Sequence, residues 1–339
     1  MKAIFYKDAP GAVLNEVHIP AINESEALIA VDACGLCGTD LMKLSAKTQG
    51  AILGHEVAGR IAKLGTKVQN FKEGDRVIVA HHVPCLNCHY CRHGNVSMCR
   101  QFKSTNLDPG GFSQFVRVSE LHVKNTMLKI PQGLDPIFAS QTEPLACCLR
   151  NVKRLGLSKG DTAGIIGLGA IGLMTAQLLK HFGITALGLD LDHERAKAIS
   201  PWGIGFTQAA SMEKELKSQT QGRGLDALIF TAGTTSLVEE KLSWIRDGGT
   251  LNVLASFHPP HMSLDLNQIY HRELTIMSSY SPALEDLRQS LELIASGAIS
   301  ISALKTKTYS LEEFAKAEQE VRSRKVMKAI FLPTKQVAQ

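Results

Sequence analysis

Thr162-Ala163-Gly164-Ile165-Ile166-Gly167-Leu168-Gly169-Ala170-Ile171-Gly172 decides the architecture of this chain. A short apolar strand runs directly into a G-x-G-x-x-G turn, and residues 173–182 continue with helical periodicity. The glycine pattern alone is weak. Here strand, glycines and helix come in order, and a second strand at 186–189 ends in Asp190, eighteen residues after Gly172, which is the spacing of a dinucleotide fingerprint. Gly167, Gly169 and Gly172, with Ala170 and Ile171 at the start of the helix, let backbone amides approach a pyrophosphate, while Asp190 bonds the adenosine ribose hydroxyls. A 2′-phosphate would meet that charge, and Leu191-Asp192 offers no basic replacement, so NAD is expected. Arg195 has two readings, beside the adenine or solvated on a helix. Further βα units at 227–230, followed by the cofactor-contact candidate Thr231, and at 250–254 extend this α/β nucleotide domain over residues 147–283.

Upstream, residues 3–6, 27–31, 56–62 and 76–80 are short β-type runs punctuated by turn residues such as Asn70 and Gly74-Asp75, and they read as a β-rich domain over residues 1–146. Within it, Cys37 of Cys34-Gly35-Leu36-Cys37-Gly38-Thr39-Asp40 and the triplet Gly54-His55-Glu56 supply a thiolate, an imidazole and a carboxylate. Zn2+ accepts all three, and three protein ligands plus an open position mark a catalytic site. Cys34 and Cys37 also form a C-x-x-C pair, but a redox motif would need a βαβ context; the other reading of Cys34 is a small buried residue. Asp40 is a candidate cap for a short helix.

Cys85-x2-Cys88-x2-Cys91-x7-Cys99 places four thiolates close enough to converge on one structural zinc. An iron–sulfur cluster competes for the same residues; the last gap of seven and Arg100, where such runs carry proline, argue against it. His89 and His93 inside this lobe are either substitute ligands or solvated loop histidines. Residues 112–118 alternate as a strand, and 139–154 read as a helix in whose first turn Pro144 fits, with Glu143 at its N-terminus. Glu143 is then a carboxylate favoured by the macrodipole or a group directed at the metal or its water. Cys147, one turn on, is a rival ligand or a core cysteine. Helices at 284–296 and 311–322, with strand-like 304–309 and 327–332, return residues 284–339 to the first domain.

Composition sets the limits. At 339 residues, 44% hydrophobic and 20% charged, the chain has the length and content of a two-domain soluble protein, and no apolar run approaches the roughly 20 residues of a membrane span. Lys2 and Lys7 stand where a signal peptide is apolar, so a cytoplasmic protein is expected, in which eight cysteines point to metal or catalysis rather than disulfides. The net charge of +5 forms no basic run, so no nucleic-acid partner is expected, and the surplus suits an anionic cofactor.

Cys-Gly-Thr-Asp, Gly-His-Glu, the four-cysteine lobe, Glu-Pro-Leu and the glycine fingerprint occur in an order that resembles the zinc-dependent medium-chain alcohol dehydrogenases over essentially the whole chain. Within that family the sequence is most similar to sorbitol/iditol, threonine, galactitol-phosphate and deoxy-inosamine dehydrogenases. The resemblance implies a GroES-like β-rich catalytic domain joined to a Rossmann domain with a doubly wound parallel sheet, two zinc ions per chain, NAD, and a homodimer or homotetramer. By it, Cys37, His55 and Glu56 match the catalytic zinc ligands, and Glu143 matches the glutamate that contacts zinc-bound water or substrate. Asp190 and Arg195 match the NAD positions, and Leu254 and Tyr280 lie in segments that line the nicotinamide. The reaction expected is oxidation of a secondary alcohol of a polyol, cyclitol or amino alcohol, with Thr39 accepting the proton and Glu56 or Glu143 completing its path. Threonine or a sugar phosphate is the alternative substrate. Two departures affect the substrate: Met42 stands where several relatives carry a proton-relay histidine, and the interval from Cys37 to His55 is shorter than in many polyol enzymes. A zinc-free quinone reductase would lack both cysteine sets, and a non-catalytic zinc-binding protein would show a degraded cofactor site.

Overall fold

The computed structural model describes residues 1–7, 11–48, 51–257 and 259–334. Two compact units result: Met1–Pro144 with Ala283–Gly297 and Leu304–Gln339, and Leu145–Pro282 with Ala298–Ala303. The expectation that residues 284–339 return to the first domain as one piece needs a correction. Residues 298–303 pack with the second unit, where Ser300 N donates to Gln177 Oε1 at 2.7 Å and Gln177 Nε2 donates to Ser300 O at 3.2 Å.

The first unit is built on Ala27–Gly35 and Glu56–Leu64, an antiparallel pair whose inward Ile29, Val31, Val57 and Ile61 are almost fully buried. The sheet runs in the order Thr306–Tyr309, Lys328–Phe331, Ala27–Gly35, Glu56–Leu64, Arg76–Ala80, Met127–Lys129, with Phe115–Val118 also pairing with Ala27–Gly35. Gly59 lets the two strands approach, since a Cβ there would lie 2.2 Å from Ala30 O. Residues from three distant parts of the chain close the core: Phe112 packs edge-on against Phe331 (ring centroids 4.9 Å) and Phe314 (5.4 Å). The expected strand at 112–118 starts only at Phe115, because Phe112 O accepts from Ile4 N (2.8 Å) and Gln114 N donates to Lys2 O (3.0 Å), tying those residues to the N-terminal hairpin. The expected helix at 139–154 divides into Pro136–Ala139 and Thr142–Leu155. Thr142 Oγ1 donates to Ala139 O at 2.7 Å, ending the first helix so that Pro144 falls in the first turn of the second.

The second unit is a six-stranded parallel sheet in the order Ile204–Phe206, Thr185–Leu189, Thr162–Ile166, Leu225–Phe230, Ile245–Val253, Thr275–Ser278. Strand order reverses between Thr162–Ile166 and Leu225–Phe230, so the carboxyl ends of these two strands mark the crevice in which such sheets take their ligands. The helix Thr142–Leu155 is pinned to the sheet by a reciprocal pair of fully buried amides, Asn151 and Asn252, at 2.9 and 3.0 Å. Among the described residues no helix is long and apolar enough to cross a membrane.

Candidate active site

Cys37 ends the turn after Ala27–Gly35 and caps the helix Gly38–Ser45, its Sγ accepting from Thr39 N at 3.5 Å. His55 immediately precedes and Glu56 opens the next strand, Glu56–Leu64, at a bend that needs Gly54: its φ is +79°, and a Cβ would lie 2.6 Å from Phe112 N. Asp40, fully buried, ties the two segments together. Its Oδ2 accepts from Cys37 N (3.2 Å) and its Oδ1 from Gly54 N (3.1 Å), with His55 Nδ1 at 3.5 Å. Asp40 is thus the third residue of the helix reaching back, and Cys37 is the cap itself. The donor atoms of Cys37, His55 and Glu56 all lie within 4.8 Å of one another.

These residues fit a zinc ion. One soft thiolate, one imidazole and one carboxylate can occupy three corners of a tetrahedron and leave the fourth open. The field agrees: burial alone would lower the pKa of His55, yet Asp40 and Cys37 carry it well above the usual histidine range, so the pocket attracts positive charge. Glu56, 0% exposed, is held by a residue that local sequence patterns do not single out. Lys328 Nζ lies 2.6 Å from its carboxylate and also donates to Leu36 O at 3.2 Å, and Gln141 Nε2 approaches Glu56 Oε2 at 3.4 Å. Gly35 makes room for this cluster, since a Cβ there would lie 1.8 Å from Glu56 Oε2. Burial opposes the charge on Lys328, but Glu56, Cys37 and Glu143 together raise its pKa. Glu143 is buried in the first turn of its helix and is not one of the three convergent donors. Nor is Cys147 among the three. His81 lies against His55 with ring centroids 4.6 Å apart and planes tilted by 45°, and neither His81 nor Lys328 belongs to a motif that spacing reveals.

The four lobe thiols, Cys85, Cys88, Cys91 and Cys99, also converge within 4.8 Å. Burial and the neighbouring Cys88 push the Cys91 thiol up to about 12. Burial also acts on Cys99, but hydrogen bonds from the backbone of Cys85 and Phe102 outweigh it and bring that thiol down to about 6. It is the convergence of four sulfurs that makes the donor set of a closed zinc site.

In the second unit Gly167 has φ +93°, and a Cβ on Gly172 would lie 2.0 Å from Gly167 O, so both glycines are required by the turn itself. A Cβ on Gly169 would instead point into open space, with Arg195 Nη1 its nearest neighbour at 4.0 Å. Gly169 gives no side-chain cap to the helix Ala170–His181, so the first-turn amides, those of Ala170, Ile171 and Gly172, remain available to a phosphate. Asp190 accepts from Leu168 N (2.7 Å) and Asp192 N (2.9 Å), which fixes its carboxylate beside the glycine turn. Thr231 Oγ1 donates to Gly167 O at 2.7 Å across the switch point, and Leu254 N donates to Phe230 O at 2.9 Å. Tyr280 is exposed, its carbonyl held by Arg150 Nη1 at 2.9 Å.

Residues 23–132 match the family described as alcohol dehydrogenase GroES-like domain, and residues 170–296 match that described as zinc-binding dehydrogenase. A sorbitol dehydrogenase of Bacillus subtilis (strain 168) is 32% identical over 92% of this chain and 91% of its own length. An L-threonine 3-dehydrogenase of Bacillus velezensis is 31% identical over 98% and 99%. Among solved structures, one from Sinorhizobium meliloti 1021 bound to NADP superposes with a TM-score of 0.86 at 27% identity, covering 98% of this chain and 99% of that one.

Proposed function

We propose that this chain, which belongs to the zinc-dependent medium-chain alcohol dehydrogenase family, oxidises a secondary alcohol flanked by a second hydroxyl or an amine and passes the hydride to NAD. Oxidation at CH–OH follows from the family; the substrate class is the proposal. The observation that carries it is the mixed donor set of Cys37, His55 and Glu56, in which the carboxylate is shared with Lys328. A metal held by one thiolate and a carboxylate already half-neutralised keeps more positive charge than one held by two thiolates, and so favours a substrate that offers a neighbouring polar atom. Polyols, cyclitols and amino alcohols meet that requirement; threonine and sugar phosphates are the alternatives within the family.

Bound at this centre, zinc supplies Lewis acidity toward the reacting hydroxyl. Thr39, whose Oγ1 lies 3.5 Å from Cys37 Sγ, is assigned to accept the alcohol proton, and Glu143 to carry it onward through water. Met42, 42% exposed, has no proton to relay. Cys85, Cys88, Cys91 and Cys99 would hold a second, structural zinc. Asp190 supports NAD over NADP, because a 2′-phosphate would meet a carboxylate fixed by two backbone amides.

A panel of ethanol, 2,3-butanediol, sorbitol, an inositol and threonine, each run with NAD and NADP, tests both parts. The highest kcat/KM is expected on a vicinally substituted alcohol with NAD, with NADP at least about 100-fold poorer, or ~2.7 kcal/mol, and Asp190→Ser narrowing that gap. Ethanol as the best substrate, or equal use of the two cofactors, would remove the corresponding half of the proposal.

We also infer a homodimer or a homotetramer. Thr275–Ser278 is the edge strand of the parallel sheet, and it carries Ile276, 46% exposed, with Leu266 and Tyr270 on the preceding helix more exposed still. A bare apolar edge of this kind is a template for pairing with a second copy. Light scattering that returned a monomer at micromolar concentration would contradict it.

A further inference from the structure

The four-thiolate lobe carries a histidine pair that neither metal centre uses. His89 and His93 are both exposed on the helical turn His89–Arg92 and its C-terminal cap, with ring centroids 4.2 Å apart and planes inclined by 32°. The spacing is i, i+4, which puts two side chains on one helix face, and two histidines at this spacing are a general means of holding zinc from a helix. Four sulfurs fill the coordination of a structural zinc, so neither imidazole is called on by Cys85, Cys88, Cys91 and Cys99.

One hydrogen bond argues further. His93 Nδ1 lies 2.8 Å from His89 O. A carbonyl oxygen only accepts, so Nδ1 carries the proton and Nε2 is left with its lone pair. A ligating histidine is typically held in this way: the distal nitrogen donates to a carbonyl, which fixes the ring and its tautomer and leaves the other nitrogen for the metal. The same carbonyl belongs to the partner histidine, so the bond also fixes the two residues relative to each other. A first-row divalent ion taking one nitrogen from each ring, at about 2.0–2.1 Å for zinc, would complete its shell with water.

We propose that His89 and His93 form an accessory surface site for a divalent transition metal, zinc in particular, distinct from the ions at the cysteine lobe and at Cys37, His55 and Glu56. The site needs no rearrangement of the lobe, because both imidazoles are exposed and the helical turn His89–Arg92, with His93 as its cap, already brings the rings to 4.2 Å. It does not depend on the catalytic reading: loss of the ion at Cys37 leaves both histidines in place.

The test uses untagged, full-length protein as purified, dialysed to equilibrium against buffered Zn2+ and then analysed for metal, with the imidazole nitrogens observed by long-range 1H–15N correlation. One additional zinc per chain above the purified content is expected, with the Nε2 signals of His89 and His93 shifting together. His89→Ala and His93→Ala should each weaken that increment by about tenfold or more, because two-point attachment is reduced to one. The double variant should abolish the increment while keeping the metal present at purification. Survival of the additional ion in the double variant, or absence of any increment in the parent protein at saturating zinc, would overturn the proposal.

Discussion

Replacing His55 by alanine should leave a folded protein with one zinc per chain in place of two, and should lower kcat/KM on the preferred alcohol by at least about 10^4-fold. The size follows from the job assigned to the centre: a fall of 10^4 is ~5.5 kcal/mol of transition-state stabilisation, which is the scale on which a Lewis acid acts. Folding should survive because the residue most exposed to the loss, Asp40, keeps its bonds from Cys37 N (3.2 Å) and Gly54 N (3.1 Å). Losing its third neighbour costs roughly 1–3 kcal/mol, below the stability of an ordinary domain. The four lobe cysteines form a separate cluster and should retain their ion. Glu143→Ala is the contrast: both ions stay, and kcat falls by only about 10^2, the usual worth of one proton-transfer group. Metal analysis beside steady-state kinetics separates the two variants. Two zinc ions in His55→Ala with activity within tenfold of the parent would mean that the centre is assigned to the wrong residues.

Features that depend on near neighbours in the chain are legible from residue order alone. The fingerprint is readable because its glycines answer to one another: Gly172 must lack a Cβ because Gly167 O lies where it would be. The lobe is readable because four sulfurs within fifteen residues converge on one point. Gly54-His55-Glu56 is readable for the same reason, with the glycine freeing the bend that delivers both donors. What escapes such reading is set by distant partners. The strand Gly11–Glu16 has no period-2 burial, because every residue in it is at least partly exposed, and only pairing with Lys2–Lys7 defines it. The strand Ile245–Val253 begins ahead of the expected start at 250 and runs through Gly248 and Gly249, where Leu225–Phe230 shifts register beside it. Lys328 does leave a mark, a lone cation opening the otherwise apolar strand Lys328–Phe331, but nothing near it in sequence names its partner 272 positions away.

That lysine supports the other large effect. Lys328→Met should destabilise the metal-free protein by about 3–5 kcal/mol and the zinc-loaded protein by much less. Glu56 is 0% exposed and Lys328 5%, so without the ammonium the carboxylate is buried with Gln141 Nε2 at 3.4 Å as its remaining side-chain donor. Zinc restores a positive charge beside it, so the penalty falls mainly on the metal-free state. By linkage the same free energy must then appear as tighter binding: zinc affinity at this centre should rise by about 100-fold or more, since each 1.4 kcal/mol is a factor of ten. Lys328→Arg, which keeps the charge, should leave the affinity near that of the parent. The sign with pH can be stated as well. A lysine whose folded pKa is raised contributes stability that is complete below its unfolded value of about 10.5 and is lost only as pH rises through the raised one, so the parent pair should be intact throughout the neutral range. Thermal melts with and without chelator, together with zinc competition titrations, read both quantities. Equal destabilisation of the two forms by Lys328→Met, with unchanged zinc affinity, would show that lysine and metal do not compete for the Glu56 carboxylate.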